Sequence, residues 1–216
     1  MQADTVIFDM DGTLTDSMPF LAEGIRTVAS ELAGQQFTAE QASARFGPPD
    51  FDVIAELIGR PLTDGDRQAY LDHLRTHTRT QVPAIEGVPQ MLQALRDQGI
   101  RLGVYTARAL PAAEVVMAEM GLAGYFEAVL AGDLVDQPKP DPEGLLVTMQ
   151  QMAADAARTI YVGDTLHDLQ VADGAGVRSV LVLWAQQPRT HLIERADHHF
   201  HDPASFTDWV LSGPTP

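Results

Sequence analysis

Two hydrophobic patterns divide this chain. Near its start, Val6, Ile7 and Phe8 form a short continuous apolar run, the pattern of a strand buried on both faces. Over residues 17–82 apolar positions recur instead at three- and four-residue spacing, which predicts helices and no strand. Phe20, Leu21, Ile25, Val28 and Leu32 mark the first helix, closed by Gly34. Thr38 and Gln41 read as a capping box ahead of a short helix that Gly47-Pro48-Pro49 breaks. Phe51, Ile54, Ala55 and Ile58 mark a third helix stopped by Gly59, and Tyr70, Leu71 and Leu74 a fourth that ends near Arg79. From Pro83 onward the two patterns take turns. Helices are expected over 88–95, 111–120, 142–152 and 167–175, and strands over 101–106, 127–131, 159–162 and 179–183. Strands separated by helices pair in parallel through right-handed crossovers. The expected fold class is therefore α/β: a parallel sheet with helices on both faces, built from residues 1–16 and 83–216, with an all-helical insert at 17–82. So small an insert should lean on the rest of the chain.

Composition narrows the function classes. The chain has 216 residues, 45% hydrophobic and 20% charged, enough for a real core. No apolar run approaches the ~20 residues of a membrane span. The start shows no basic region followed by a long apolar stretch, so no secretory signal is expected. There is no cysteine, which excludes disulfides and thiolate metal sites and points to the cytoplasm. A formal charge of −16 argues against nucleic acid or an anionic membrane as partner. An anionic ligand would have to be held by local groups. Among 14 basic residues Lys139 is the one lysine, which suggests that this position requires a compact ammonium that arginine cannot replace.

The chemistry-bearing residues gather where the strands end. The first strand gives way to Asp9 and, two residues on, Asp11; side chains two apart on an extended backbone point the same way. Two carboxylates ~4 Å apart repel by about 4 kcal/mol at an effective dielectric near 20. Such a pair calls for a cation, a shared proton or ample solvent. The strand at 101–106 ends at Thr106, and the one at 159–162 leads into Gly163-Asp164 with Asp168 following. Each residue alone has an ordinary structural use, as turn hydroxyl, helix cap or first-turn acid. Together, at the carboxyl edge of one parallel sheet where ligands bind, four acids need a hard cation. An all-oxygen ligand set favours Mg²⁺.

The segments DMDGTLTDS (9–17), YTAR (105–108), QPKPDP (137–142) and GDTLHD (163–168) resemble the four-motif signature of the haloacid dehalogenase-like hydrolase superfamily. The helical insert is similar to the small cap of the subgroup that includes phosphoglycolate phosphatase and beta-phosphoglucomutase. The resemblance implies a Rossmann-like core with a cap at 17–82 and a two-step phosphoryl transfer. Asp9 would attack phosphorus to form an aspartyl-phosphate, and Asp11 would serve as general acid and then general base. Mg²⁺ would be held by Asp9, the backbone carbonyl of Asp11, Asp164 and Asp168. Thr106 would donate to a phosphoryl oxygen and Lys139 would neutralise nucleophile and phosphate. The chain has Thr-Ala-Arg where relatives often show Thr-Asn or Ser-Asn, so Ala107 and Arg108 join Thr106 and Lys139 as substrate-binding candidates. Arg45, beside the Gly47-Pro48-Pro49 loop, is similar to cap residues that select substrate. An intact Asp11 favours phosphate over halide, since a departing halide needs no proton.

The function these residues imply is a Mg²⁺-dependent phosphatase acting on a small phosphorylated metabolite. The alternatives are a sugar-phosphate mutase, disfavoured by FGPPDFDV (46–53) where mutases typically carry an Arg- and Ser-containing stretch, and a non-catalytic phosphate-binding protein. Other polar residues read as structural. Arg108 has a competing reading as a solvated arginine at a helix start. Asp16 is expected to cap or hinge the first helix. His73, Arg75, His77 and Arg79 read as a solvated face, and His198, His199 and His201 as a polar edge strand.

Overall fold

A computed structural model describes residues 3–212 of the chain. Its sheet is built outward from β1 (Thr5–Phe8), which pairs in parallel with β2 (Arg101–Tyr105) on one side and β4 (Thr159–Gly163) on the other. With β3 (Ala128–Leu130), β5 (Arg178–Val182) and β6 (His198–Phe200), all six strands run parallel in the order β3-β2-β1-β4-β5-β6. The central strands are buried on both faces, which is why they read as unbroken apolar runs. Along β1 the pleat sends Val6 and Phe8 into one core and Ile7 into the other. The first core is filled from α5 (Val88–Asp97), α6 (Leu110–Glu119) and α9 (Pro203–Ser212). The second is filled from α7 (Glu143–Gln151) and α8 (Leu166–Ala175). Helices thus cover both faces, as predicted.

Between β1 and β2 lie α1 (Met18–Ala33), α2 (Ala39–Ser43), α3 (Asp50–Ile58) and α4 (Asp64–Gln81), with no strand among them. Thr38 and Gln41 form the capping box on α2, and Gly34 and Gly59 close α1 and α3. The apolar faces of these helices, carrying Ile25, Ile54, Tyr70 and Leu74, join the same buried cluster as Phe8 and Val104 of the sheet. The insert therefore shares its core with the sheet, through α4 packed against α6.

Two sequence expectations need revision. Asp16 does not cap α1: Ser17 stands at the N-cap and makes no side-chain capping bond, and Pro19 in the first turn has no N–H to donate one. The Asp16 carboxylate instead accepts the Gln186 N–H at 3.2 Å, tying the start of the insert to the loop after β5. The helix α9 has no counterpart among the predicted elements. Its start is fixed by Asp202, which accepts the N–H of Ser205 at 2.8 Å. Phe206 then stands edge-on to Phe8, Phe200 and Trp184, with no exposed surface. No helix of the described residues is long and apolar enough to cross a membrane. Because Phe206 plugs the sheet face from a single turn of helix, Phe206→Ala should cost about 3–5 kcal/mol of stability. Urea unfolding followed by circular dichroism measures that loss.

Candidate active site

The end of β1 is shaped by a turn in which the amides of Thr13, Leu14 and Thr15 all point at the Met10 carbonyl, while Gly12 N–H donates to Thr15 O at 2.7 Å. This turn brings residue 12 against the end of β4. A Cβ on Gly12 would sit 2.5 Å from Oδ2 of Asp164, and Gly12 has φ +86°, so only glycine allows the two segments to approach. Asp9 is anchored through its N–H to Val162 O at 2.8 Å. Asp168 sits in the first turn of α8, locked by a capping box with Thr165.

These local structures bring Asp9, Asp164 and Asp168 together, buried, with one carboxylate oxygen from each lying within 4.8 Å of the others. Lys139 enters from the loop before α7, which holds a cis Lys139–Pro140 peptide. Its Nζ donates to Asp9 Oδ1 at 2.7 Å and to Asp168 Oδ1 at 2.8 Å. The rings of Tyr105 and Tyr161 lie 4.9 and 5.4 Å from the ammonium, and the Tyr161 hydroxyl reaches Asp168 at 3.2 Å. Burial and the neighbouring acids push the Asp9 carboxyl well above its usual range, despite Lys139. Burial and repulsion by Asp168 raise Asp164 to about 7, although Arg189 pairs with it. For Asp168 burial is outweighed by the Lys139 ammonium and the Thr165 hydrogen bonds together, which hold the carboxyl low. Asp164 Oδ1 is buried without a hydrogen-bond partner among the described residues. An orphaned carboxylate oxygen in an all-oxygen cluster of acids fits a hard divalent cation such as Mg²⁺.

Asp11 lies outside that cluster. Its carboxylate takes a two-pronged bond from Arg108, Nε to Oδ2 and Nη2 to Oδ1, both 2.8 Å, and accepts a short bond from Ser17. Burial opposes ionisation of Asp11, but Arg108 prevails and lowers its pKa. Arg108 is 2% exposed, which overturns the reading of a solvated arginine. The reason is a second partner: Asp50, the first residue of α3, lies 3.4 Å from Arg108 Nη1. Asp50 also accepts the Ala109 N–H at 3.0 Å and the Tyr70 hydroxyl at 2.9 Å. A buried arginine is thus matched by two carboxylates, the partly buried Asp11 and the buried Asp50, one from each side of the cleft.

The remaining candidates are less central. Thr106 is buried at the end of β2, and its Oγ1 accepts the Arg108 N–H at 3.2 Å. Ala107 lines the cavity described below. Arg45 does not: its guanidinium is occupied by Glu56 and the Gln41 carbonyl. Asp50, Tyr70, Tyr161 and Arg189 carry no motif and were not singled out in the sequence. Their parts depend on contacts between residues 7 to 59 positions apart, for which periodicity has no signal. Asp9, Asp11, Lys139 and Asp168 face a cavity of about 150 Å³ whose other wall is α1 and α3. Asp164, Gly12 and Arg189 face a neighbouring cavity of about 500 Å³, the two sharing Met18 and Phe46. Asp50→Ala leaves Arg108 and the Ala109 amide short of a partner, so a stability loss of roughly 3 kcal/mol is expected, against about 1 for Tyr70→Phe. Equal effects in chemical denaturation would refute this ranking.

The sequence profile of haloacid dehalogenase-like hydrolases matches residues 6–182. The phosphoglycolate phosphatase of Neisseria meningitidis is 32% identical over 95% of this chain and 88% of its own length. The pyrophosphatase PpaX of Anoxybacillus flavithermus is 28% identical over 89% of both chains. Among solved structures, CbbY from Rhodobacter sphaeroides in complex with phosphate superimposes with a TM-score of 0.77 at 20% identity, covering 95% of this chain and 96% of that one. The chain belongs to the haloacid dehalogenase-like hydrolase family.

Proposed function

We propose that this protein is a Mg²⁺-dependent phosphatase that hydrolyses a small phosphomonoester through an aspartyl-phosphate on Asp9. The observation that carries this reading is the buried convergence of Asp9, Asp164 and Asp168 around Lys139 at the carboxyl edge of the sheet. Relatives named as phosphatases support it. Mg²⁺ would be held by Asp9, Asp164, the backbone carbonyl of Asp11 and, directly or through water, Asp168; once bound it would neutralise the acids and draw charge from the phosphoryl oxygens.

The chain's own residues do the rest. Lys139 spends two of its three N–H donors on Asp9 and Asp168, which fixes the nucleophile and leaves one donor for a phosphoryl oxygen. Thr106 accepts from Arg108 N–H and so keeps its hydroxyl proton for the same purpose. Asp9 attacks phosphorus, the bond to the leaving oxygen breaks, and Asp11 supplies the proton that oxygen needs. Asp11 then takes a proton from the water that opens the aspartyl-phosphate. The Arg108 pair suits Asp11 to this second, basic role; for the first, Asp50 gives the guanidinium another partner while Asp11 is protonated. Helices α1–α4 act as the cap at 17–82 that closes the site from water.

Asp9→Asn should reduce hydrolysis of p-nitrophenyl phosphate by about a thousandfold or more with the circular dichroism spectrum unchanged. Lys139→Ala should cost about a hundredfold or more, whereas Arg101→Ala, an exposed pair with Glu127, should stay near the parent rate; similar losses for the two would remove Lys139 from the mechanism. Metal binding has a pH signature. With its folded pKa near 7, against about 4 in the unfolded chain, Asp164 favours the folded metal-free protein at low pH, and that contribution is lost as pH rises from about 4 through 7. A bound divalent cation needs Asp164 ionised, so the Mg²⁺-induced rise in unfolding temperature should grow between about pH 5.5 and 7.5. Asp164→Asn should flatten it.

A further inference from the structure

The cavity in front of Asp9 has two walls of opposite character. The sheet side supplies Asp9, Asp11, Asp168, Lys139 and Arg108, and Asp50 adds a carboxylate from α3. The opposite wall is apolar: Met18, Leu21 and Ile25 of α1 and Val53 of α3. Every cation facing this space is already engaged. Lys139 is bound to two carboxylates and Arg108 to two others. The arginines of the helical insert that stand nearest in sequence are turned to other partners, Arg45 to Glu56, Arg60 to Asp66 and Arg67 to the ring of Phe51. Arg189, in the neighbouring cavity, is held by Asp164. On the side away from Asp9, Asp11 and Asp50 share the single guanidinium of Arg108, so no positive charge is left over there for a second anion.

We infer that the group this enzyme releases from phosphate is small and uncharged, so that the phosphoryl group is the one anionic part of the substrate. The inference rests on the phosphatase reading above and deepens it. Among the described residues, a carboxylate or second phosphate on the leaving side would meet an aliphatic wall and no unengaged cation, and burying an unpaired charge there is strongly unfavourable. The apolar wall rewards methylene groups instead. The cavity of about 150 Å³ must hold the phosphoryl group in front of Asp9 and the leaving group together, which is about the volume of a cavity that takes up one benzene, so a short-chain alcohol is the class that fits. The relatives' named substrates, phosphoglycolate and pyrophosphate, each carry the second anion that this pocket disfavours.

The test compares three phosphates of similar size in the presence of Mg²⁺: propyl phosphate, the phosphate of glycolamide, and phosphoglycolate, which differs from the second essentially by one charge. Steady-state phosphate release is measured with the parent protein, and calorimetric affinity with Asp9→Asn. Both neutral-tailed compounds should exceed phosphoglycolate by about tenfold to a hundredfold in kcat/KM, with the same ranking in affinity. Phosphoglycolate handled as well as its amide or better overturns the assignment of the leaving group and leaves the phosphatase reading standing. If the parent releases phosphate from none of the three, the assignment of a small uncharged leaving group is overturned, and turnover of p-nitrophenyl phosphate decides separately whether the phosphatase reading stands.

Discussion

The structure turns on one ammonium held between two aspartates in a nearly dry setting. Lys139 joins Asp9, at the end of β1, to Asp168, in the first turn of α8, two segments that would otherwise repel across the edge of the sheet. At this depth the attraction is strong and so is the penalty for losing either side. The rings of Tyr105 and Tyr161 stand beside the ammonium at 4.9 and 5.4 Å and leave its third N–H toward the cavity. A guanidinium is a wide planar fork, and it would not fit the same slot between two rings and two carboxylates. That accounts for a lysine in a chain whose other basic residues are all arginine.

A second charged group plays a comparable part on the opposite side of the cleft. Arg108 belongs to the loop after β2, Asp11 to the loop after β1 and Asp50 to α3, so one guanidinium fastens three separate parts of the chain. Asp50 and Tyr70 make this the polar counterpart of the apolar cluster shared by the insert and the sheet. Closure of α1–α4 over the cavity is therefore set by packing and by charge at once. A movement that opened the cleft would have to part Asp50 from Arg108.

Much of the fold was legible because its elements are locally determined. A buried parallel strand must be continuously apolar, and helices on its faces must show a stripe, so β1, β2, β4 and β5 appear in the sequence within a residue or so of their observed bounds. The acids at the strand ends were readable for the same reason: topology alone sends Asp9 and Asp164 to one edge. What escaped was determined by distant parts of the chain. Nothing near Arg108 announces that Asp50, 58 residues away, will bury it, and arginine is ordinarily solvated. Arg45 failed in the opposite sense, since proximity to a cap loop does not say which way a long side chain points. The helix α9 was missed because its apolar stripe is short and its partners, Phe8 and Trp184, come from elsewhere.

The position of Phe206 also bears on how the chain is made. Strands β3, β2 and β1 can pair as soon as residue 130 has been synthesised, with α5 and α6 already present to cover part of the face that carries Phe8. Its lid arrives some two hundred residues after β1, with α9. Until α9 is made, the edge of Phe8 that Phe206 covers in the finished fold has no aromatic partner from that helix, so this corner of the core is the last to be completed.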